Sequence, residues 1–157
     1  MIVLEYDLLW KLIEDNNIQI EKILEQYIAL LSELTEAPLL SKEEFINNSL
    51  QIKNMGCIYV CYYKTNENFI HIVGSGTIIF EPKIIRNGKW VGHIEDIVVG
   101  KKHNSQGIAK KIIDKLLSLS QEKGCYKVIL DCKHELCSFY EKFGFEKHGI
   151  QMSKYNC

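Results

Sequence analysis

Proline and long apolar runs are both scarce in this sequence, and each scarcity narrows the class of protein. Only Pro38 and Pro82 occur among the 157 residues, which favours long regular elements. No segment approaches the roughly 20 consecutive apolar residues of a membrane-spanning helix, and Glu5 and Asp7 interrupt the first apolar run, unlike a signal peptide. The net charge of −1 gives no overall signature of nucleic-acid or membrane binding, although it leaves a local basic patch open.

The cysteines and histidines lack the spacing of a metal site. The six cysteines include no C-x-x-C pair, and the five histidines do not cluster with them or with each other. Four cysteines lie in or beside apolar strand-like runs, where a reduced cysteine behaves as a small hydrophobic residue: Cys57, Cys61, Cys125 and Cys132. We therefore predict no metal, free thiols and a cytoplasmic, reducing location.

The length and composition are typical of one soluble domain over residues 1–157, since 46% of the residues are hydrophobic and 25% charged. Asn17 is a predicted N-cap for a helix that fades by Thr35. Ser41 and Glu44 have the spacing of a capping box for a second helix over about 42–54. The structure of residues 1–15 stays open at this stage, with a strand before the first helix as one option.

The second half of the chain alternates strands and helices. Predicted strands occupy 57–64, 69–80, 89–99, 126–132 and 145–155, and predicted helices occupy about 106–123 and 134–143. The segment 94–131 has the strand–helix–strand pattern whose two strands run parallel. The whole order predicts an α/β fold with a mixed sheet and helices on both faces.

The loop at residues 104–109 joins a strand to a helix through small residues, Ser105-Gln106-Gly107-Ile108-Ala109. The first amides of a helix have no partner inside it, and the helix dipole favours an anion there. Gly107 permits a close approach of the backbone to a ligand. We therefore predict a phosphate-bearing cofactor at this turn, with an ordinary strand–helix loop as the alternative.

Four segments of the sequence resemble the GNAT superfamily of acetyl-CoA-dependent N-acetyltransferases, and within it the glucosamine-6-phosphate N-acetyltransferases. The loop is similar to the superfamily pattern [Arg/Gln]-x-x-Gly-x-[Gly/Ala], from which Asn104 departs at the first position. The other three segments read G-H-I-E-D-I-V-V at 92–99, C-Y-K-V-I-L-D-C at 125–132 and F-Y-E-K-F-G-F at 139–145.

The resemblance implies a mostly antiparallel sheet in which one parallel strand pair, here 94–99 and 127–131, splays apart. Acetyl-CoA then lies in the gap as the acetyl donor. Its pantetheine arm pairs with strand backbone, and its pyrophosphate lies on the loop. The implied coenzyme-binding residues are Ile97, Val98, Val99, Asn104, Ser105, Gln106, Gly107, Ile108, Ala109 and Tyr140.

The implied reaction transfers acetyl to the amine of glucosamine 6-phosphate, on the route to UDP-N-acetylglucosamine. Tyr140 corresponds to the residue that protonates the departing thiolate, and Asp131 to the residue that orients the amine. Glu95 and Asp96 occupy adjacent strand positions, so their side chains are expected on opposite faces, with one of them contacting sugar or water. The implied substrate-binding residues are Thr35, Lys83, Ile84, Ile85, Arg86, Glu95, Asp96, Tyr126, Lys127, Asp131 and Lys154.

The resemblance also implies a homodimer with shared sites, because Tyr126 and Lys127 match a pair that reaches the substrate of the other subunit. Two alternatives remain open from the sequence. The chain could act on another amine, such as a peptide terminus or a polyamine, or it could be a non-catalytic acyl-CoA-binding module. The presence of both Tyr140 and Asp131 argues against the non-catalytic alternative.

Overall fold

The computed structural model describes residues 2–156. The strands are β1 (Glu5–Leu8), β2 (Gly56–Lys64), β3 (Ile70–Pro82), β4 (Trp90–Val99) and β5 (Cys125–Ile129). The helices are α1 (Leu9–Asp15), α2 (Ile20–Leu31), α3 (Lys42–Met55), α4 (Ile85–Gly88), α5 (Ile108–Lys123) and α6 (Cys137–Glu141). Single 3₁₀ turns occupy Asn17–Gln19, Lys101–His103 and His134–Leu136.

The five strands form one sheet in the order β1-β2-β3-β4-β5. The first three pairings are antiparallel, and only β4 and β5 run parallel. Side chains of α1, α2 and α3 build a core on one face of the sheet, and the buried side of α5 builds a second core on the other face. The predicted mixed sheet with helices on both faces, and the predicted parallel pair, are confirmed.

The starts of the helices show where local sequence signals sufficed. The capping box is confirmed: the Ser41 hydroxyl accepts from the Glu44 amide, and the Glu44 carboxylate accepts from the Ser41 amide. Asn17 as the N-cap of α2 is wrong. Asn17 opens the 3₁₀ turn instead, and α2 begins after Gln19, whose side chain makes no capping bond.

The predicted closing strand over 145–155 is wrong, because the described residues after α6 form no regular element. Gly144 and Gly149 have φ values of 85° and 87°, which interrupt an extended conformation. Met152 is 92% exposed and Tyr155 89% exposed, so these apolar side chains find no sheet face in their own chain. The strand predicted over 126–132 also ends early, at Ile129.

A bulge in β4 is the local feature that positions the site. Ser75 pairs with Val98 and Thr77 with Glu95, so two residues, Asp96 and Ile97, lie opposite the single residue Gly76. Asp96 has a φ of 51°, in the left-handed region. A Cβ added to Gly76 would lie 2.5 Å from Ile97 Cδ1, so glycine is what lets Ile97 pack against β3.

Candidate active site

The parallel strands separate at the middle of β4. Their last paired residues are His93 and Ile129, where β5 ends, whereas β4 continues to Val99. Ile97 and Val99 pack toward the α5 core, and Val98 is buried in the α2 core. Because β3 occupies only one edge of this part of β4, the edge facing away from β3 is free of a β5 partner. An extended ligand can therefore pair with the backbone here while the side chains remain in the two cores.

The loop from Asn104 to Gly107 ends against the start of α5. Ser105 and Gly107 both have left-handed backbones, with φ values of 64° and 72°. Gly107 is the N-cap residue of α5 and provides no side-chain cap, and a Cβ added to it would meet nothing within 4 Å. The side chain of Ile108 is buried and anchors the helix start. The position beside the Gly107 backbone is therefore open, and the first amides of a helix have no partner inside it, as an anion site requires.

Tyr140 lies on α6 with its ring in the core and is only 9% exposed. The ring packs edge-on against Phe145, with centroids 6.1 Å apart. Burial raises the pKa of the Tyr140 phenol, and the nearby Cys132 and Asp131 raise it further. The phenol is thus protonated at neutral pH and lies close enough to Asp131 to sense its charge. The Tyr140 ring can therefore pack in the core while its hydroxyl remains available as a proton donor.

Three acidic side chains share one electrostatic neighbourhood beside the gap. Burial raises the pKa of Glu95, and the charges of Asp131 and Asp96 raise it further, while His93 lowers it. The expectation that Glu95 and Asp96 lie on opposite faces assumes a regular strand, and the left-handed bulge at Asp96 interrupts that regularity. The repulsion among these negative charges favours a bound cation such as an ammonium group.

A cationic cluster lies at the other end of β4. The guanidinium carbon of Arg86 is 5.6 Å from the centroid of the Tyr126 ring, and Lys127 Nζ is 5.7 Å from the same centroid. Arg86 and Asn87 are held in the left-handed region within the short turn of α4. Ile84 and Ile85 are exposed beside it. The segments around Arg86 and Tyr126 therefore meet within one subunit.

Glu81 was not singled out in the sequence analysis, yet it connects two predicted regions. Its carboxylate pairs with Lys83 Nζ and lies 2.7 Å from His93 Nε2. Glu81 is near the end of β3, and Lys83 follows the strand directly. The two opposite charges at a spacing of two residues are the sequence feature that could have indicated this ion pair. Lys83 is therefore held by an acidic partner rather than extended into solvent.

Two predicted substrate residues are not brought to this cluster. Thr35 is exposed after the end of α2, where its amide donates to the Leu31 carbonyl. Lys154 is exposed in the irregular segment after α6.

Within residues 2–156, no group of three or more potential ligand side chains is placed to hold a metal ion. No helix in the same range is long and apolar enough to cross a membrane.

Comparison with known proteins agrees with this geometry. The sequence model of the acetyltransferase (GNAT) family matches residues 23–145. The glucosamine 6-phosphate N-acetyltransferase of Trypanosoma brucei brucei is 41% identical over 134 residues, which cover 84% of this chain and 88% of that protein. Glucosamine 6-phosphate N-acetyltransferase 1 of Dictyostelium discoideum is 40% identical over 129 residues, which cover 82% of each protein.

The fold comparison points the same way. The crystal structure of glucosamine-6-phosphate N-acetyltransferase from Arabidopsis thaliana superposes with a TM-score of 0.81 at 31% identity, covering 98% of each chain. The family match spans both parallel strands, the loop before α5 and Tyr140. This chain belongs to the GNAT acetyltransferase family.

Proposed function

We propose that this protein transfers the acetyl group of acetyl-CoA to the amine of glucosamine 6-phosphate, giving N-acetylglucosamine 6-phosphate, a precursor of UDP-N-acetylglucosamine. The observation that carries the proposal is the separation of β4 from β5 after His93 and Ile129, with Tyr140, Asp131 and Glu95 beside the gap. The Trypanosoma brucei brucei and Dictyostelium discoideum proteins, which bear this enzyme name, match more than four-fifths of the chain.

Acetyl-CoA fits the gap and the loop by their chemistry. The free edge of Ile97, Val98 and Val99 offers backbone groups to the amides of the pantetheine arm. The residues Asn104 to Ala109 offer backbone N–H groups and the positive end of α5 to the pyrophosphate. Asn104 is neutral, so this side chain adds no charge of its own, and backbone donors carry the binding.

The acid cluster and the phenol supply complementary proton chemistry. The amine must be neutral to attack, and its ammonium proton passes to the carboxylate cluster or to water beside it, with Asp131 orienting the nitrogen. The nitrogen lone pair forms the new C–N bond at the thioester carbon, within a complex that holds both substrates, and the nitrogen then loses its second proton to water or to the carboxylate cluster to give the amide. As the C–S bond breaks, the Tyr140 phenol donates its proton to the sulfur and regains a proton from solvent.

The sugar phosphate is assigned to the cationic cluster. Arg86 is the sole arginine in the chain, and its planar fork matches two phosphate oxygens. Lys83 and Lys127 add positive charge, and Tyr126 supports Arg86 through its ring. Ile84, Ile85 and Asp96 complete the proposed substrate-binding set at this site, while Thr35 and Lys154, which lie outside the cationic cluster, stay predictions from the resemblance.

We also propose a homodimer with shared sites. The β5 strand forms the edge of the sheet, so its outer backbone groups have no strand partner among residues 2–156. Tyr126 and Lys127 belong to this edge strand. In the irregular segment after α6, the apolar side chains of Ile150 and Met152 are exposed. Sedimentation equilibrium tests the assembly, and a mass of one chain would reject the shared site.

The proposed location is the cytoplasm, where thiols stay reduced.

The substrate is tested by following CoA thiol release with a panel of amines. Rapid release is expected with glucosamine 6-phosphate and far slower release with unphosphorylated glucosamine, because the cationic cluster needs the phosphate. Equal rates with the two sugars, or faster release with a polyamine or a peptide terminus, would reject the proposed acceptor.

A further inference from the structure

Three hydroxyl groups are buried together beneath the bulge of β4. Ser75 is 0% exposed, Tyr27 5% and Thr77 6%, although the surrounding core is apolar. The Ser75 hydroxyl donates to the Tyr27 oxygen at 3.2 Å, and the Thr77 hydroxyl lies close enough to Tyr27 to lower the pKa of its phenol. Buried hydroxyls are tolerated only when they are paired, so the arrangement is specific rather than incidental.

The two β3 partners of Tyr27 stand on either side of the bulge. Ser75 is paired with Val98, after the bulge, and Thr77 is paired with Glu95, before it. A single hydroxyl from α2 is therefore bonded at one end of the irregular register and lies near the other. Between them Asp96 keeps a φ of 51°, a conformation that a residue with a side chain rarely adopts unless its surroundings impose it.

The chemistry of Tyr27 suits a fixed support. Burial raises the pKa of Tyr27 to about 12, the hydrogen bond from Ser75 opposes that rise, and the charge of Asp96 adds to it. The phenol is therefore neutral throughout the working range of the protein. Its ring is anchored against Phe45, with centroids 6.2 Å apart, so the hydroxyl has a defined position.

We propose that Tyr27 is a positioning residue for acetyl transfer: through its hydrogen bond with Ser75, beside Thr77, it fixes the bulge that directs Glu95 and Asp96 toward the amine. The inference rests on the proposed function and deepens it. Tyr27 itself touches no reacting atom, because it lies in the core between α2 and the sheet. Removing the Tyr27 hydroxyl removes the hydrogen bond between α2 and the part of β3 that pairs with β4 at the bulge.

The test compares two tyrosines that differ in location. Tyr27→Phe removes one buried hydroxyl and keeps the ring. Tyr62→Phe is the matched control, since Tyr62 is also buried and its hydroxyl bonds Glu5 on β1, far from the bulge in strand order. Thr77→Val keeps the shape of the side chain and removes the β3 hydroxyl that lies beside Tyr27.

Tyr27→Phe and Thr77→Val are expected to lower kcat about tenfold, because misplaced groups lose their alignment with the reacting atoms. The Kd of CoA from calorimetry is expected to rise less than kcat falls, by about threefold or less, because 97–99 hold only the pantetheine arm and the loop before α5 is unaffected. Amide hydrogen exchange over 95–99 is expected to accelerate in both variants. Tyr62→Phe should change none of the three measurements.

The role is rejected if Tyr27→Phe keeps the kcat of the parent protein or if exchange over 95–99 stays unchanged. A loss equal to that of Tyr62→Phe would also reject it, because the effect would then be general destabilisation. A parent protein that acetylates a different amine overturns the proposed acceptor only, and the same variants are then measured with that amine. The exchange experiment needs no substrate, so the two failures are distinguishable.

Discussion

His93 and Glu81 are joined across β3 and β4, with His93 Nε2 2.7 Å from a Glu81 carboxylate oxygen. His93 is the last residue of β4 that pairs with β5, so the contact lies where the strands begin to separate. The same carboxylate holds Lys83. Glu81 thus connects the proposed phosphate-binding turn to the beginning of the acetyl-CoA gap.

The hydrogen bonds from Lys83 and then His93 hold the pKa of Glu81 below its ordinary value. A group whose pKa is lower in the folded protein stabilises it above the unfolded pKa, and that stability is lost as pH falls through the folded pKa. We expect Glu81→Gln to lower the melting temperature slightly at neutral pH. Melting curves at decreasing pH check this, and a difference from the parent protein that persists after full protonation of Glu81 would contradict it.

Tyr140→Phe is expected to reduce kcat about a hundredfold, because the thiolate then leaves without a proton donor. The affinity for CoA should change little, since the phenylalanine ring keeps the packing against Phe145. Steady-state thiol release and calorimetry measure the two quantities. Tyr155→Phe is the matched control, because Tyr155 is 89% exposed in the irregular chain end.

The pH profile gives an independent check of Tyr140. Burial raises the pKa of this phenol, so its acid form persists to a higher pH than that of an exposed tyrosine. The alkaline decline of kcat assigned to Tyr140 is therefore expected above the ordinary tyrosine pKa. A decline at or below that pKa would show that another group limits the reaction.

Gly107 and Gly124 begin and end α5 with the same backbone conformation, at φ values of 72° and 80°. An alanine at either position meets no neighbouring atom within 4 Å, so both substitutions carry only the backbone penalty of about 1–2 kcal/mol. We expect Gly107→Ala and Gly124→Ala to lower the free energy of unfolding by similar amounts in urea titrations.

Only Gly107→Ala should weaken CoA binding, by about tenfold, because the new methyl group occupies the space that the pyrophosphate needs. Calorimetric titration of both variants with CoA separates the effects. Equal affinity in the two variants would mean that the phosphate lies elsewhere than on the loop before α5.

The sequence patterns predicted the parallel pair and α5 because their signals are local and strong. The apolar spacing of α5 repeats over several turns, and the handed strand–helix–strand connection leaves few arrangements. The bulge was not predictable in this way. The residues Glu95 and Asp96 themselves do not indicate a left-handed backbone. The register is set from another strand, where Gly76 leaves room for Ile97.

The closing strand failed for a related reason. Over 145–155 only Ile150 and Met152 have the spacing of a strand, and the left-handed backbone of Gly149 interrupts the extended chain before them. The Tyr27 network was equally invisible, because its three hydroxyls come from α2 and two positions of β3 that are 48 and 50 residues away along the chain. Long-range partners, rather than local propensity, decide these features.

Arg86→Ala provides the sharpest test of acceptor recognition, since Arg86 is the only arginine and is held over the Tyr126 ring. We expect kcat/KM for glucosamine 6-phosphate to fall about 30-fold or more, mainly through KM, because a bidentate charged contact to phosphate is lost. The rate with unphosphorylated glucosamine should hardly change, so selectivity between the two sugars falls by the same factor.

Lys89→Ala is the matched control, because it removes one positive charge near the same turn without touching the Tyr126 ring. Arg86→Lys should recover only part of the activity, since an ammonium group restores charge but not the planar fork. Raising the salt concentration should lower the phosphate selectivity of the parent protein and of Lys89→Ala, but leave that of Arg86→Ala nearly constant. A uniform loss with both sugars in Arg86→Ala would instead identify Arg86 as a support for the turn before β4.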